Sequence, residues 1–341
     1  MTFVVIRPFA KLQTRARQPV ENDVRIQGLK IVKLVRNINE VSSSIMSGAV
    51  TIGNFDGVHR GHAQLVKSVI QFAEKIGGPS VVFTFDPHPA KLLRPDIAPV
   101  PLTWTERKAE LLGKLGIDVM VAYPTDRNLL NLPPAAFFSE ILLKSLRAKA
   151  VVEGPNFFFG KNRAGDTQLL GQLCQENNIA FEIVEPIRRD EDYVSSSRIR
   201  SAIAGGQIEQ ANQMLTSPYK IRGTVGHGAG RGATIGFPTA NLQEIDTLIP
   251  HDGVYAGQVE WERKMWPAAI NIGPNPTFGE TSRKVEIHLI DFDDSLYEKP
   301  MEVDFLAKLR DIRTFNGRDE LCEQLSKDIE AAKTVFSQTQ Q

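Results

Sequence analysis

The chain has 341 residues, of which 42% are hydrophobic, which is enough to build two cores rather than one average domain. Its 40 basic residues balance 40 acidic ones, so no basic excess favours nucleic acid or a membrane surface as a partner. No apolar run reaches the ~18 residues of a membrane span. The two cysteines, Cys174 and Cys322, lie far apart in helix-like segments, which indicates free thiols in a reducing, cytoplasmic environment.

Residues 1–28 stand apart as an N-terminal extension. The segment before Glu21 contains several basic residues and no acidic one. A transit peptide is the alternative interpretation of this composition.

From residue 49 to about 185, apolar runs alternate with helical patterns, an order typical of a parallel sheet with helices on both faces. The strands are predicted at residues 49–52, 80–85, 117–123, 150–153 and 181–184. The helices are predicted to begin after a glycine turn at Gly53, at a capping box over 103–106, at Pro133-Pro134 and at Gln168. Because ligands bind at the carboxyl ends of parallel strands, the polar residues that follow these strands should converge on one crevice.

The pattern changes after two short helices separated by Gly205-Gly206, and apolar residues then recur with a period of two. Strands are predicted at residues 220–225, 254–261, 268–272, 285–290 and 302–305, followed by a helix at 318–335. Five or six antiparallel strands with a closing helix suggest a small barrel. The domain boundary is therefore placed near residues 216–218.

The motif GNFDGVHRGH at residues 53–62 follows a strand and opens a helix. Its candidate residues are Gly53, Asn54, Phe55, Asp56, Gly57, His59 and His62. The free N–H groups and the dipole of a helix start favour a phosphate, and two imidazoles three residues apart add donors at the same point. The motif predicts a nucleotidyl-transfer site that holds one phosphate in line with the α-phosphorus of a nucleoside triphosphate. The alternative is a polar helix cap whose histidines are satisfied by the backbone.

Two more motifs follow strands of the same sheet. FDPHP presents Asp86 and His88 to a substrate or to Mg²⁺, although the same dipeptides occur at ordinary strand exits. GPNFFFGKNR surrounds an aromatic run that either lines a pocket for a flat ring or plugs the core. Its candidate residues are Asn156, Phe157, Gly160 and Arg163.

The motif SSSRIR places hydroxyls and an arginine at a helix start, the pattern of a second phosphate grip. Its candidate residues are Ser196, Ser197 and Arg198. The alternative is a plain serine N-cap.

The predicted barrel contains a glycine-rich stretch, GHGAGRG, followed by GFPTAN, which suits a flexible flap over phosphates. The candidate residues here are Gly228, Gly230, Arg231, Gly236, Pro238, Thr239 and Asn241. Thr239 and Asn241 project the same way from an extended stretch and offer oxygens to Mg²⁺. Glu286, in an otherwise apolar run, is a candidate general base for a substrate hydroxyl. The alternatives are a surface loop and a surface carboxylate.

In this order, GNFDGVHRGH, FDPHP, GPNFFFGKNRAGD, SSSRIR, GFPTAN and VEIHLIDF closely resemble the prokaryotic bifunctional riboflavin kinase/FAD synthetase family over residues 30–335. The resemblance implies a Rossmann-like α/β nucleotidyltransferase domain at 29–217 that joins FMN to AMP from ATP, giving FAD and pyrophosphate. It implies a β-barrel riboflavin kinase domain with a C-terminal helix at 218–336 that phosphorylates riboflavin to FMN with ATP.

The resemblance also implies residue roles. His59 and His62 would contact ATP phosphates, Thr239 and Asn241 would bind Mg²⁺-ATP, and Glu286 would be the kinase base. The adenylyltransferase site would further contain Asn156, Ser196, Ser197 and Arg198. The expected partners are small-molecule substrates, with no nucleic acid or membrane and an unspecified oligomeric state.

The chain departs from the family pattern at three positions. Ser197 stands where threonine is common, Ala229 where an acidic or polar residue is common, and Pro155 stiffens the turn before Asn156. The Ala229 departure supports a second hypothesis, an adenylyltransferase with an idle kinase. A third hypothesis is a flavin-binding regulator without catalysis, which would not need this whole set of residues.

Overall fold

The structure is a computed structural model that describes residues 32–40, 42, 45–185, 188–189, 192–228, 232, 235–274 and 283–340. The predicted extension at 1–28 lies outside these residues, as do Ala229, Gly230 and Arg231 of the glycine-rich stretch.

A six-stranded parallel sheet forms the first half of the chain, in the strand order β1-β4-β3-β2-β5-β6. The strands are β1 (Lys33–Val35), β2 (Ala49–Ile52), β3 (Ser80–Asp86), β4 (Val119–Pro124), β5 (Ala150–Glu153) and β6 (Ala180–Ile183). The predicted parallel sheet is confirmed. β1 was not predicted, because its three residues are too few to show a period.

Helices cover both faces of this sheet, as predicted. They are α1 (Arg60–Ile76), α2 (Ala90–Leu93), α3 (Thr105–Lys114), α4 (Arg127–Leu130), α5 (Pro134–Phe137) with a π-helical continuation over Phe138–Ser145, and α6 (Thr167–Glu176). Alternate residues of each strand enter different cores. Val81 and Phe83 pack with Phe138, whereas Val82 packs with Val69 on the opposite face.

The predicted capping box at the start of α3 is wrong. Trp104 occupies the N-cap position without a side-chain cap bond. The Thr103 hydroxyl instead contacts the carboxylate of Asp56 and accepts from the backbone N–H of Gly57 at 3.2 Å. Thr103, which the sequence pattern assigned to the helix cap, thus binds the buried carboxylate of Asp56 instead.

A closed antiparallel barrel forms the second half, in the order β10-β13-β12-β11-β14-β9. Before it come a two-stranded ribbon, β7 (Arg188–Arg189) and β8 (Asp192–Tyr193), and the helices α7 (Ser196–Ala204) and α8 (Ile208–Met214). The barrel strands are β9 (Tyr219–Gly226), β10 (Ala240–Gln243), β11 (Gly253–Trp261), β12 (Lys264–Gly273), β13 (Lys284–Leu289) and β14 (Pro300–Arg310), and helix α9 (Arg318–Thr339) follows. The predicted barrel and closing helix are confirmed. No helix among the described residues is long and apolar enough to cross a membrane.

The two modules meet at α7 and α8. Ile199, Ile203 and Met214 of these helices share one buried cluster with Ile221 and Phe305 of the barrel. Through this cluster, α7 and α8 pack against the barrel and also extend the α/β module.

Candidate functional sites

The loop after β2 contains the paired histidines at the start of α1. His59 is the N-cap residue: its Nδ1 accepts from the His62 backbone N–H at 3.3 Å, and the Nδ1 of His62 accepts from the His59 N–H at 3.3 Å. The two rings stack with 3.6 Å between their centroids. The structure therefore contains the reciprocal helix cap that was the alternative interpretation of this motif. The cap uses Nδ1 of each ring and leaves Nε2 outside it.

Burial sets the protonation of both histidines. His59 is 6% exposed, and burial lowers its pKa to about 4, although Asp56 acts in the opposite direction. Burial holds the pKa of His62 well below its ordinary value, and the proximity of Lys108 and of the His59 ring lowers it further. Both rings are neutral at pH 7, and because Nδ1 accepts a hydrogen bond, the ring proton resides on Nε2. Each histidine can therefore donate one hydrogen bond to a phosphate and remain uncharged.

Asp56 organises the surroundings of this loop. Its carboxylate accepts from the backbone N–H groups of Leu102 and Thr103 at 3.0 and 3.1 Å and pairs with the guanidinium of Arg200 on α7. The Ser196 hydroxyl donates to the Asp56 carbonyl at 2.8 Å. The candidate motifs at residues 53–62 and 195–200 therefore meet, a contact that the order of the strands did not predict.

A cavity of about 270 Å³ opens beside this loop. Its wall includes the predicted residues Asn54, Asp56, Asp86 and His88, the unpredicted cations Arg36, Lys91 and Lys108, and the flat ring of Trp104. The barrel contributes Arg222 and Asp246 to the same wall. Arg222 lies 4.8 Å from the centroid of Trp104 and pairs with Asp246 at 2.7 Å. Both modules thus build the cavity.

Two of the predicted residues in the cavity wall are held by local contacts. Asp86 accepts from the Thr105 hydroxyl at 2.6 Å and lies 3.5 Å from the guanidinium of Arg36. The Nδ1 of His88 accepts from the Ala90 N–H at 3.1 Å, and burial lowers its pKa. These contacts fix both side chains at the strand exit while they face the cavity.

The GPNFFFGKNR motif divides between core and surface. Phe159 is buried, and Phe157 stacks on it at 5.7 Å between centroids, so this part of the run is a core plug. Phe158 is 45% exposed and lies under the guanidinium of Arg163 at 4.7 Å. Asn156 is exposed. Gly160 has a φ of +73°, and a Cβ added there would lie 2.7 Å from the backbone nitrogen of Pro134, so the position requires glycine.

The start of α7 combines two roles. Ser195 is the N-cap and accepts from the Arg198 N–H at 3.3 Å, so the alternative interpretation of a serine cap holds for this residue. Ser196 reaches the histidine loop, as described above. Ser197 is exposed and Arg198 is half-buried, and both remain candidates for a ligand.

On the barrel, the predicted kinase residues lie on adjacent strands. Asn241 of β10 is the register partner of Glu286 on β13, and Glu286 is the partner of Asn271 on β12. The Asn271 amide donates to Glu286 Oε2 at 3.5 Å. Glu286 is half-buried among neighbours that alternate with the buried residues of the barrel interior, so the three polar side chains share the outer face.

The glycine-rich stretch approaches this face closely. A Cβ at Gly228 would come 2.1 Å from the Asn241 amide nitrogen, and one at Gly232 would come 3.5 Å from the Thr239 hydroxyl. The Nδ1 of His288 lies 2.7 Å from the carbonyl of Pro238, just before Thr239. Gly236 has a φ of +90°, which glycine adopts readily. Gly228 and Gly232 therefore lie close to Asn241 and Thr239, whereas the predicted role of this stretch as a flap over phosphates stays a prediction.

Sequence reasoning missed several residues at these sites. Lys108 and Asn271 are the main ones, with Arg200, Arg222 and His288. Lys108 had a signal in the sequence, because it stands three and four residues before Leu111 and Leu112 on the apolar face of a helix. Asn271 had none, since cross-strand neighbours separated by a loop depend on register.

Comparisons with known proteins match the two halves of the chain to two families. Residues 42–198 match the FAD synthetase family and residues 215–336 match the riboflavin kinase family. The bifunctional riboflavin kinase/FMN adenylyltransferase of Escherichia coli K12 is 35% identical over 310 residues, which cover 90% of this chain and 99% of that protein. The protein of the same description from Listeria monocytogenes is 35% identical over 312 residues, covering 91% and 99%.

A solved structure shares the overall fold. It is described as a macrolide-efflux protein from Streptococcus pneumoniae, and it superposes with a TM-score of 0.77 at 29% identity over 89% of this chain and 98% of its own. That description concerns the streptococcal protein, and the sequence relatives carry the activity. With both halves matched and nearly the full length of the relatives covered, the chain belongs to the bifunctional riboflavin kinase/FMN adenylyltransferase family and is an enzyme of flavin-cofactor biosynthesis.

Proposed function

We propose that the two reactions occur at two separate places in this chain, adenylyl transfer to FMN at residues 29–217 and riboflavin phosphorylation at residues 218–336. The observation that supports this division is that the candidate reactive groups lie in two different places. The neutral histidine pair and the cavity lie at the carboxyl edge of the parallel sheet, whereas Thr239, Asn241 and Glu286 lie on the outer face of the barrel.

In the first module, His59 and His62 donate from Nε2 to the phosphates of ATP. Neutral donors suit this task, because a hydrogen bond can strengthen as charge develops on the phosphate oxygens. The side chains of Asn54, Asp86 and His88 bound the cavity that takes the substrates. The remaining predicted residues of the first module are assigned to substrate contact from the family resemblance: Gly53, Phe55, Gly57, Asn156, Phe157, Gly160, Arg163, Ser196, Ser197 and Arg198.

In the second module, Glu286 takes the proton from the riboflavin 5′-hydroxyl while that oxygen attacks the γ-phosphorus of ATP. The Asn271 amide beside Glu286 Oε2 keeps the carboxylate oriented. The glycine flap approaches the strand that carries Asn241, which fits a cover over the ATP phosphates.

The implied metal ion is Mg²⁺, and the donors fit it. Thr239 and Asn241 offer hydroxyl and carboxamide oxygens, which are hard ligands, and Mg²⁺ is commonly held by few protein ligands together with phosphates and water. In the described part of the chain no group of three or more His, Cys, Asp or Glu side chains could hold a metal alone. When bound, Mg²⁺ would neutralise charge on the ATP phosphates.

We further propose that the enzyme acts in the cytoplasm on small molecules, without a nucleic acid or membrane partner. The balanced charge of 40 basic and 40 acidic residues and the free thiols of Cys174 and Cys322 support this proposal. Oligomer formation remains compatible with it.

Two variants test the division of labour, each assayed with riboflavin plus Mg²⁺-ATP and with FMN plus Mg²⁺-ATP. We expect His62→Ala to slow FAD formation and spare FMN formation. We expect Glu286→Gln to do the reverse, with a loss of ~10²–10⁴-fold, since a positioned base contributes about that much. Equal losses in both reactions would contradict separate sites, and a loss of tenfold or less for Glu286→Gln would make that residue structural.

A further inference from the structure

Lys108 is a buried cation that no step described above uses. It lies in the first turns of α3, is 8% exposed, and forms part of the cavity wall. Its position on the apolar face of α3 directs the side chain into the protein, toward the ends of β3 and of the histidine loop. A lysine at such a position is uncommon, because lysine is rarely fully buried unless it has a partner.

The hydrogen bonds of Lys108 leave its charge without a counterion. Its Nζ donates to the Thr84 hydroxyl at 3.4 Å, and that hydroxyl donates to the Asn54 carbonyl at 3.1 Å. Within the described residues, Lys108 forms no ion pair with a carboxylate. The carboxylates of Asp56 and Asp86 act on it from a greater distance. Both already accept hydrogen bonds, Asp56 from backbone N–H groups and Asp86 from Thr105.

A second polar group at the same wall has no hydrogen-bond partner among the described residues. The side-chain oxygen of Asn54 is buried and accepts no hydrogen bond among the described residues. Burying an ammonium without a counterion and an amide oxygen without a hydrogen-bond donor costs free energy that a bound ligand can recover. The ligand must offer an anionic oxygen to Lys108 and an O–H or N–H group to Asn54.

We propose that Lys108 binds a phosphate oxygen of a substrate in the adenylyl transfer, with Asn54 accepting a hydrogen bond from the same ligand. In that reaction an oxygen of the FMN phosphate forms a bond to the α-phosphorus of ATP. The bond from this phosphorus to the bridging oxygen of the β-phosphate breaks, and its electron pair leaves with pyrophosphate. Lys108 stays protonated throughout and lowers the energy of the phosphate oxygens by its charge.

The inference rests on the proposed assignment of adenylyl transfer to this module. Two substrates carry the required chemistry, FMN with its ribityl hydroxyls beside a phosphate and ATP with its triphosphate and ribose. If Lys108 contacts the FMN phosphate, its replacement would raise the KM for FMN. If it contacts ATP, its replacement would raise the KM for ATP. A contact that strengthens only in the transition state would lower kcat instead.

The test compares Lys108→Met with Lys108→Arg, using FAD formation from FMN as the readout and FMN formation from riboflavin as an internal control. Methionine keeps an unbranched stem of similar length in the buried site and removes the charge. We expect Lys108→Met to reduce kcat/KM for FAD formation by ~10–150-fold, the range for losing a hydrogen bond to a charged group. Lys108→Arg should recover a large part of this loss, and FMN formation should not change in either variant.

Lys114→Met is the matched control. Lys114 lies on the same helix, is paired with Glu110 at 2.7 Å, and is not part of the cavity wall. This variant should form FAD at the wild-type rate. Wild-type rates in Lys108→Met would overturn the inference. Absence of FAD formation in the wild-type enzyme would instead overturn the proposed function.

A pH profile provides a second readout that a structural role would not move. Burial lowers the pKa of Lys108, against the opposing effect of Asp56 and Asp86. His62 in the first turn of α1 and His88 in the loop after β3 are neutral, and Arg36 adds a further cation to the wall. The charge of Lys108 is therefore lost at a lower pH than that of an ordinary lysine. We expect the apparent affinity for the phosphate substrate to fall at alkaline pH in the wild type and to stay level in Lys108→Arg, whose guanidinium keeps its proton. If Lys108→Met does not fold, the wild type and Lys108→Arg still test the proposal. The same fall in apparent substrate affinity at alkaline pH in both proteins would overturn it.

Discussion

At the scale of residues, His59, which we propose as a phosphate-binding group, also stabilises the fold. Its Nδ1 caps α1, and its burial keeps the ring neutral, so the donor on Nε2 is available without a charge. The two interpretations of the motif, a helix cap and a phosphate site, are therefore compatible. One nitrogen of each ring serves the helix, and the other nitrogen remains for a ligand.

Acid should destabilise the protein through this histidine. The folded-state pKa of His59 is about 4, below the unfolded value of about 6.5, so the unfolded chain binds more protons and stability falls as pH drops from about 6.5 to 4. Asn caps helices well and does not titrate. When the pH is lowered from 7 to 4, we expect the free energy of unfolding to fall by roughly 3 kcal/mol more in the wild type than in His59→Asn. Urea denaturation at the two pH values measures this, and equal losses would contradict a neutral buried His59.

At the scale of elements, Glu153 ties together the ends of two strands. Its Oε1 accepts from the Ile52 backbone N–H at 2.7 Å, which joins the last residue of β5 to the last residue of β2. These ends lead into the GNFDG and GPNFFFG loops. Glu153 is 2% exposed, and burial raises its pKa well above the ordinary value.

A buried carboxyl with a raised pKa makes folding less favourable as pH rises. Below the unfolded pKa of ~4.3, both states of Glu153 are protonated, and its contribution to stability is fully present. Above that pH the folded state holds a proton that the unfolded state has lost, and stability declines. Glutamine cannot ionise, so we expect Glu153→Gln to have a higher melting temperature than the wild type at pH 8 and a smaller difference at pH 5. A lower melting temperature for Glu153→Gln at pH 8 would show that this carboxyl is charged in the fold.

Local patterns predicted most of the elements in both modules. Val81 to Phe83 and the leucines of α3 lie in runs whose period decides strand or helix. The features that the sequence patterns missed or predicted wrongly depend on contacts between residues that are distant in sequence. Thr103 left the predicted capping box for Asp56, 47 residues away in sequence, and Asn271 reaches Glu286 through strand register. The motifs located both candidate sites, while the barrel residues in the cavity wall became visible only in the folded chain.

At the scale of the whole molecule, the joint between the modules is also a support of the histidine loop. The Thr216 hydroxyl donates to the Val58 carbonyl at 2.6 Å, and Leu215 pairs with His59 in an isolated antiparallel bridge. On the other side of the joint, the Asn212 amide donates to the Phe305 carbonyl of the barrel at 2.8 Å. A substitution in the segment that joins the modules should therefore impair the histidine site more than the barrel site.

Thr216→Val removes the hydroxyl and keeps the shape of the side chain. The Val58 carbonyl then loses its donor, at a cost of about 1 kcal/mol. We expect FAD formation from FMN to fall roughly fivefold, while FMN formation from riboflavin stays unchanged. Thr216→Ser, which keeps the hydroxyl, is the control and should match the wild type. Steady-state rates of the two reactions decide the matter, and a parallel fall in both would mean that the joint supports the barrel instead.

The central claim, two independent sites in one chain, is tested most directly by mixing two defective variants. His62→Ala should form FMN from riboflavin, and Glu286→Gln should form FAD from FMN. Each alone, supplied with riboflavin and Mg²⁺-ATP, should form little FAD, and chromatography over time should show FAD appearing when the two proteins are mixed. If the mixture forms no more FAD than the sum of the separate variants, the two reactions share residues and the division proposed for this chain is wrong.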